Sequence, residues 1–150
     1  MGEKVVCSNK RARHDYTIFD TFEAGLILVG SEVKSLRASH ASLSEAYVEL
    51  KEGEAWLISA RIAEYPWANQ FNHEPTRPRK LLLKDAELAK LSKRVKERGF
   101  TIIPLRIYFK GGWAKVEIAV AKGKRFHDKR QSIKEKDTRR EVARELKRRS

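Results

Sequence analysis

The stretch TIIPLRIYFKGGWAKVEIAV, residues 101–120, decides the fold class. Ile103, Leu105, Ile107 and Phe109 alternate with Pro104, Arg106 and Tyr108, the period-two pattern of a strand with one buried face. Past Gly111-Gly112 the alternation resumes, with Ala114, Val116, Ile118 and Val120 set among Trp113, Lys115 and Glu117. Two such runs joined by two glycines predict a β-hairpin. Pro104 has no N–H to give a ladder, so it belongs at an edge or a bulge.

Outward from the hairpin the chain is also rich in strands. His14–Asp20 and Ala24–Gly30 read as two strands, the second apolar on both faces and therefore central. Ser31 precedes a short predicted helix over 32–36 as its N-cap. Ala46–Lys51 and Ala55–Ile62 form a predicted hairpin around Glu52-Gly53. Residues 63–80 hold Pro66, Pro75 and Pro78 and read as a long irregular loop, a type that is functional or mobile. Asp85 caps a predicted helix running to Arg98, with Leu88, Leu91 and Val95 in one stripe and Gly99 beyond its end. Five or six antiparallel strands with flanking helices suggest a mainly β domain, an OB-type barrel, with a flatter α+β sandwich as the alternative.

The chain carries 33 Lys and Arg against 20 acidic residues, a formal net charge of +13. That excess suits a polyanion, because each cation set on a phosphate releases a counterion. The charge is concentrated at one end: residues 121–150 hold 13 Lys or Arg and 5 Asp or Glu. Ala121-Lys122-Gly123-Lys124-Arg125 is too polar and too interrupted for a buried strand, so the barrel is expected over 1–121 and a basic tail over 122–150. The tail has i,i+4 pairs Glu135/Arg139 and Glu145/Arg149 but few apolar residues. It is expected to be disordered alone and to become helical on a partner. The first ten residues have no apolar core of signal-peptide length, no run approaches a membrane span, and Cys7 is a single cysteine. A reducing cytoplasmic location follows.

No hydrolase, kinase or metalloprotease motif is present, and His14, His40, His73 and His127 have no metal-ligand spacing. The chain is read as a non-enzyme with no cofactor and no metal. Four blocks have the composition of RNA contacts. Asn9-Lys10-Arg11-Ala12-Arg13-His14-Asp15-Tyr16 packs cations, an amide and flat rings, although a solvated run leading into a strand would look the same. Glu23 with Gly25, Gly30 and Lys34 offers a carboxylate that accepts from a base amino group or holds a nearby cation, against a plain capping role. Phe71 and His73 stand beside Arg77, Arg79 and Lys80 in the proline-stiffened loop, where the bland alternative is a packed surface loop. Lys122-Gly123-Lys124-Arg125-Phe126-His127-Asp128-Lys129-Arg130 alternates cations with rings, as a generic basic tail also would.

Together, NKRARHDY, EAGLILVGSEVKSLR, FNHEPTRPRKLLL, TIIPLRIYFKGGWAKVEIAVAKGK and HDKRQSIKEKD resemble the small protein B family, the transfer-messenger-RNA-binding proteins. The resemblance is collinear over nearly the whole chain. It implies an OB-type barrel that binds the tRNA-like domain of transfer-messenger RNA and delivers it to stalled ribosomes in trans-translation. The body would replace the missing anticodon half of a tRNA, and the tail would sense the empty mRNA channel. The family positions imply an RNA-binding surface of Asn9, Lys10, Arg13 and His14 with Glu23, the cations Arg77, Arg79 and Lys80, and Lys115, Lys122 and Lys124. Arg11 and Lys34 lie in the same matching blocks and join the candidate set. His127, Asp128, Lys129 and Arg130 would face the decoding centre, and Ile133, Lys134, Glu135, Lys136 and Asp137 would read the channel. Where some members carry an aromatic after that motif this chain has Thr138, and no role is assigned beyond Asp137. The implied partners are transfer-messenger RNA and the ribosome, with room for the elongation factor that carries aminoacyl-tRNA.

Other classes fit parts of the sequence. A ribosomal structural protein also combines a small β domain with a basic extension. A single-strand binder would use an OB groove without sequence preference. A two-histidine ribonuclease and a membrane-surface binder are less well supported, the latter because the tail lacks a broad apolar face.

Overall fold

The computed structural model describes residues 3–67 and 72–124. In chain order it runs β1 (Lys4–Ser8), α1 (Ala12–Asp15), β2 (Tyr16–Leu26), α2 (Gly30–Arg37), β3 (Ala41–Ser42) and β4 (Tyr47–Lys51), then β5 (Glu54–Ile58), β6 (Arg61–Ile62), β7 (Arg79–Leu82), α3 (Asp85–Val95), β8 (Phe100–Lys110) and β9 (Trp113–Gly123). The 101–120 hairpin forms as its alternation requires, with register from Lys110↔Trp113 to Phe100↔Lys122. Gly111 and Gly112 have φ of +57° and +82°, and positive φ at both central residues matches the right-handed twist of the flanking strands. The register shifts between Pro104 and Arg106, so the proline does sit at a bulge.

All strand pairings are antiparallel, and the order β8-β4-β5-β7-β2-β9 returns to β8 through the β8–β9 hairpin. The sheet therefore closes on itself, and the flat-sandwich alternative falls. Closure is uneven: β8 and β9 pair along their whole length, whereas β4 meets β8 only at Val48↔Ile102. The free length of that β8 edge is taken by β1. The result is an OB-like barrel with one short seam.

Side-chain alternation sends Ile102, Ile107, Val116, Ile118 and Val120 into the barrel with Ala24, Val48, Leu57 and Leu81. Leu36 of α2 and Leu91 of α3, both fully buried, belong to the same core. A second, smaller cluster lies on the other face of β8 and β9. There Ile103, Leu105, Ala119 and Ala121 meet Ala12 of α1, with Tyr16 and Ile18 alongside.

That outer cluster corrects the expectation for residues 121–123. β9 runs on to Gly123, past the expected barrel end at 121, pairing Ile18↔Ala121, Thr17↔Lys122 and Tyr16↔Gly123 with β2. Ala121 is buried on its outer side by the α1 cluster. Lys122 is accommodated because its stem lies beside Gly99 while its ammonium sits over the Phe100 ring.

Other boundaries also moved. The two expected strands at 14–20 and 24–30 merge into one strand, β2, irregular between Ile18 and Thr21, while His14 and Asp15 lie in α1. The chain leaves the sheet after Leu26, and α2 starts at Gly30 with Val29, not Ser31, at its N-cap. β5 stops at Ile58 because Ser59 adopts φ of +62°, and Arg61–Ile62 pairs with β3 instead. α3 ends at Val95 rather than Arg98. β1 and β7 were not expected. β1 was hidden in a basic N-terminal run, and β7 lay at the end of what read as a loop.

Candidate nucleic-acid interface

Three groups of polar side chains stand on this frame. The first surrounds α1. Asn9 is fixed at the Pro104 bulge, its N–H donating to the Leu105 carbonyl at 2.7 Å and its Nδ2 to the Pro104 carbonyl at 3.2 Å. That anchor sets α1 against β8 and leaves its cations outside. Arg11 and His14 side chains are 73% and 75% exposed, both beside Asp15. Lys124 reaches back to donate to the Arg13 carbonyl at 3.1 Å. Asn9, Lys10, Arg11, Arg13, His14 and Lys124 are thus brought together at one corner. A cleft of about 480 Å³ opens beside it, between residues 7–12 and the 41–47 segment. Cys7, which lines the cleft, has its thiol pushed up to about 11 by burial, against a smaller opposing hydrogen bond from the Ile107 backbone.

The second group lies on the outer wall of β2, β9 and β8. Register brings Glu23, Glu117 and Arg106 into one row and Gly25, Lys115 and Tyr108 into the next. Tyr108 donates its hydroxyl to Glu23 Oε2 at 2.5 Å, and Lys110 Nζ lies 3.4 Å from the same oxygen. Arg106 lies over the Tyr108 ring at 4.2 Å and bonds Glu117 at 3.3 Å and Glu3 at 2.8 Å. The Tyr108 hydrogen bond holds the Glu23 carboxyl below the usual carboxylate range. Slight burial opposes it, and Lys110 and Lys115 add to it. Burial and the carboxylate beside it raise the Tyr108 phenol. Among the described residues no hydrogen bond to Glu23 Oε1 is present, so one oxygen of an ionised, anchored carboxylate is left able to accept. Gly25 keeps the wall low: a Cβ there would come within 3.2 Å of Leu82 Cβ.

The third group is a clasp, and it corrects the reading of the 63–80 loop. Glu32, fully buried, accepts from Arg77 Nε at 2.9 Å and from Arg79 Nε at 2.6 Å on Oε2. The Val29 N–H donates to its Oε1 at 2.9 Å, as does Arg77 Nη2. Burial pushes this carboxyl up, but the donors of Arg77, Val29 and Arg79 outweigh it, and Glu32 titrates below its ordinary value. Arg79 gives its remaining donors to the carbonyls of Ala60 and Pro75. With no exposed surface, Arg79 presents nothing to a partner, so the expected phosphate contact at this position is replaced by a structural role. His73 is also buried. Its Nε2 donates to the Ile62 carbonyl at 2.8 Å, and its Nδ1 accepts from the Ser31 hydroxyl at 2.7 Å. A ring held this way cannot stack on a base.

Of the remaining candidates, Arg77 keeps about a third of its side chain exposed and Lys80 pairs with Glu54 at 3.0 Å. Lys34 lies over the Tyr65 ring at 5.4 Å. Lys122 stands apart from the α1 corner, on the inward-facing side of β9 against Phe100. Phe71, His127, Asp128, Lys129, Arg130, Ile133, Lys134, Glu135, Lys136 and Asp137 lie outside the described residues. Sequence reasoning missed Arg106, Tyr108 and Lys110 as members of the site. The signal was present, since all three sit on the outward side of the alternating pattern. Among the described residues no group of acidic, His and Cys side chains could hold a metal ion, and no helix is long and apolar enough to cross a membrane.

A family model described as SmpB protein matches residues 6–148. The SsrA-binding protein of Sulfurihydrogenibium sp. (strain YO3AOP1) is 54% identical over 147 residues, covering 98% of this chain and 97% of that one. The SsrA-binding protein of Acidothermus cellulolyticus is 53% identical over 148 residues, covering 99% and 93%. A solved chain described as "tmRNA-SmpB: a journey to the center of the bacterial ribosome" is 44% identical, with a TM-score of 0.67 over 79% of this chain and 83% of its own. The barrel, the basic corner and this match along body and tail agree, and the chain belongs to the SmpB protein family.

Proposed function

We propose that this protein binds the tRNA-like domain of transfer-messenger RNA and delivers it to stalled ribosomes in the cytoplasm, acting as a binding protein and not as an enzyme. The observation that carries the proposal is the family match over residues 6–148, which takes in both barrel and tail. Similarity to a chain solved as tmRNA-SmpB in the bacterial ribosome supports the two partners. In this reading Lys10, Arg11, Arg13 and Lys124 take phosphates, and Asn9 keeps their corner rigid on the Pro104 bulge. Glu23 offers Oε1 to a base or ribose donor, while Lys110 and Lys115 flank the same strand with positive charge. Lys34, Arg77 and Lys80 add further contacts. Arg79 and Lys122 act differently: Arg79 positions the clasp, and Lys122 belongs to a separate surface. RNA recognised by shape needs such fixed donors more than base-reading side chains.

The tail is assigned the sensing step. His127, Asp128, Lys129 and Arg130 would meet the decoding centre, and Ile133–Asp137 would order only in a channel empty of message. The elongation factor carrying aminoacyl-tRNA completes the delivery complex. A reconstituted translation system programmed with a message lacking a stop codon tests this. Tagging of the stalled peptide should require this protein together with transfer-messenger RNA; tagging that proceeds equally without it would refute the assignment.

A further inference from the structure

At the end of the barrel covered by α3, a cleft of about 610 Å³ opens between β2 and that helix. Phe19 stands in its wall with 46% of its surface exposed, just where β2 loses register between Ile18 and Thr21. Its ring meets Phe100 edge-on, with centroids 5.0 Å apart. The Arg94 guanidinium lies over Phe100 at 4.7 Å and over Phe19 at 5.7 Å, and bonds Asp20 at 3.3 Å. Lys122 covers Phe100 from β9 at 4.8 Å. Lys90 and Lys93 stand on the cleft's α3 side, and neither has an ion-pair partner among the described residues. Glu97 is the one carboxylate of the cleft without a cation partner among the described residues.

An exposed aromatic ring ordinarily wastes apolar area, and one ringed by cations is a platform for a flat, anionic ligand. A nucleotide fits both halves: its base covers the ring, and its phosphates meet the lysines. An acidic peptide would answer the cations but leave the ring uncovered. We propose that Phe19, with Lys90, Lys93 and Arg94, forms a second RNA-contacting site that receives an unpaired nucleotide by stacking on the Phe19 ring. The site is distinct from the α1 corner and the Glu23 wall, because it lies at the α3 end while those occupy the outer surface of β8, β9 and β2. It rests on the reading that the partner is RNA, though not on which RNA. Lys122, which the strand register turns away from the α1 corner, borders the site through its contact with Phe100.

The test uses the full chain and a short single-stranded RNA carrying 5-iodouridine, irradiated and mapped by mass spectrometry. An adduct is expected on Phe19. It should fall at least fivefold in a Lys90→Ala/Lys93→Ala variant, and Phe19→Ala should weaken affinity for the RNA about tenfold, the loss expected of one base stack. Binding of the tRNA-like domain, measured in parallel, should change less than twofold in the same variants. Adducts confined to other aromatics, such as Trp67 or Trp113, or a Phe19 adduct indifferent to the lysines, would overturn the proposal. Failure of wild-type protein to bind the tRNA-like domain specifically would strike the functional reading instead, and would leave the cleft result interpretable.

Discussion

Tyr108 of β8 reaches across β9 to donate its hydroxyl to Glu23 of β2 at 2.5 Å. The hydrogen bond leaves Glu23 ionised with one oxygen committed and the other without a hydrogen bond among the described residues. Tyr108→Phe keeps the ring under Arg106 and removes only the donor. We expect affinity for the tRNA-like domain to fall about fivefold to tenfold, the scale of one charge-assisted hydrogen bond. Glu23→Gln should cost at least as much. Unfolding midpoints of both variants should stay close to wild type, because the carboxylate is solvated. Equal affinity of wild type and Tyr108→Phe in filter binding would remove Tyr108 from the recognition surface.

Glu32 gives the protein a defined acid sensitivity. Its carboxyl titrates below its unfolded value, so the stability it contributes is complete above the ordinary carboxylate range. That stability is lost as pH falls through the lower, folded-state value. Glu32→Gln should therefore destabilise at pH 7 by about 3–5 kcal/mol, since it leaves Arg79 buried without its charge partner. The gap between variant and wild type should narrow as pH falls through that lower value. Urea unfolding at a series of pH values measures this, and a pH-independent gap would contradict it.

Arg77 and Arg79 share one carboxylate but not one environment. Arg79→Ala should destabilise by about 3–5 kcal/mol, while Arg77→Ala, partly exposed, should cost about 1 kcal/mol. If Arg79→Ala folds with near wild-type stability and loses RNA binding alone, the structural role assigned to it is wrong.

Cys7 should be sluggish. With its thiol raised to about 11, little thiolate exists at neutral pH, and alkylation of the folded protein should be about a hundredfold slower than of the unfolded chain. Labelling at equal rates with and without denaturant would disprove it.

The end of β9 separates two truncations. Cutting after Lys124 keeps the β2–β9 pairing through Tyr16↔Gly123 and the Lys124 contact with Arg13. That body should bind the tRNA-like domain within about threefold of the full chain. Peptide tagging in reconstituted translation should nonetheless be lost. Cutting after Val120 removes buried Ala121 and should destabilise the α1 cluster as well. Tagging by the body alone would end the division of labour between barrel and tail.

How much of this was legible in the sequence depended on whether one residue's neighbours were local. The 101–120 hairpin and its proline bulge were readable because alternation and a glycine pair are local signals. Barrel closure through Val48↔Ile102 joins residues too far apart for periodicity to report. Arg79 read as a surface cation because burial of a guanidinium depends on Glu32 and two carbonyls supplied by distant segments. Residues 121–123 read as too polar for a buried strand because the helix that buries Ala121 begins at Ala12, far away in sequence. The α1 corner and Glu23 were recognised as candidate blocks from composition and resemblance. Tyr108, the partner of Glu23, stands outside those blocks, although its outward register is visible in the alternation.

The most direct measurement is competition for labelled transfer-messenger RNA at physiological salt, against equal masses of tRNA, poly-U and ribosomal RNA fragments. The labelled complex should survive all three competitors. Easy displacement by poly-U would contradict that expectation and reduce the protein to a general basic binder on an OB-like frame.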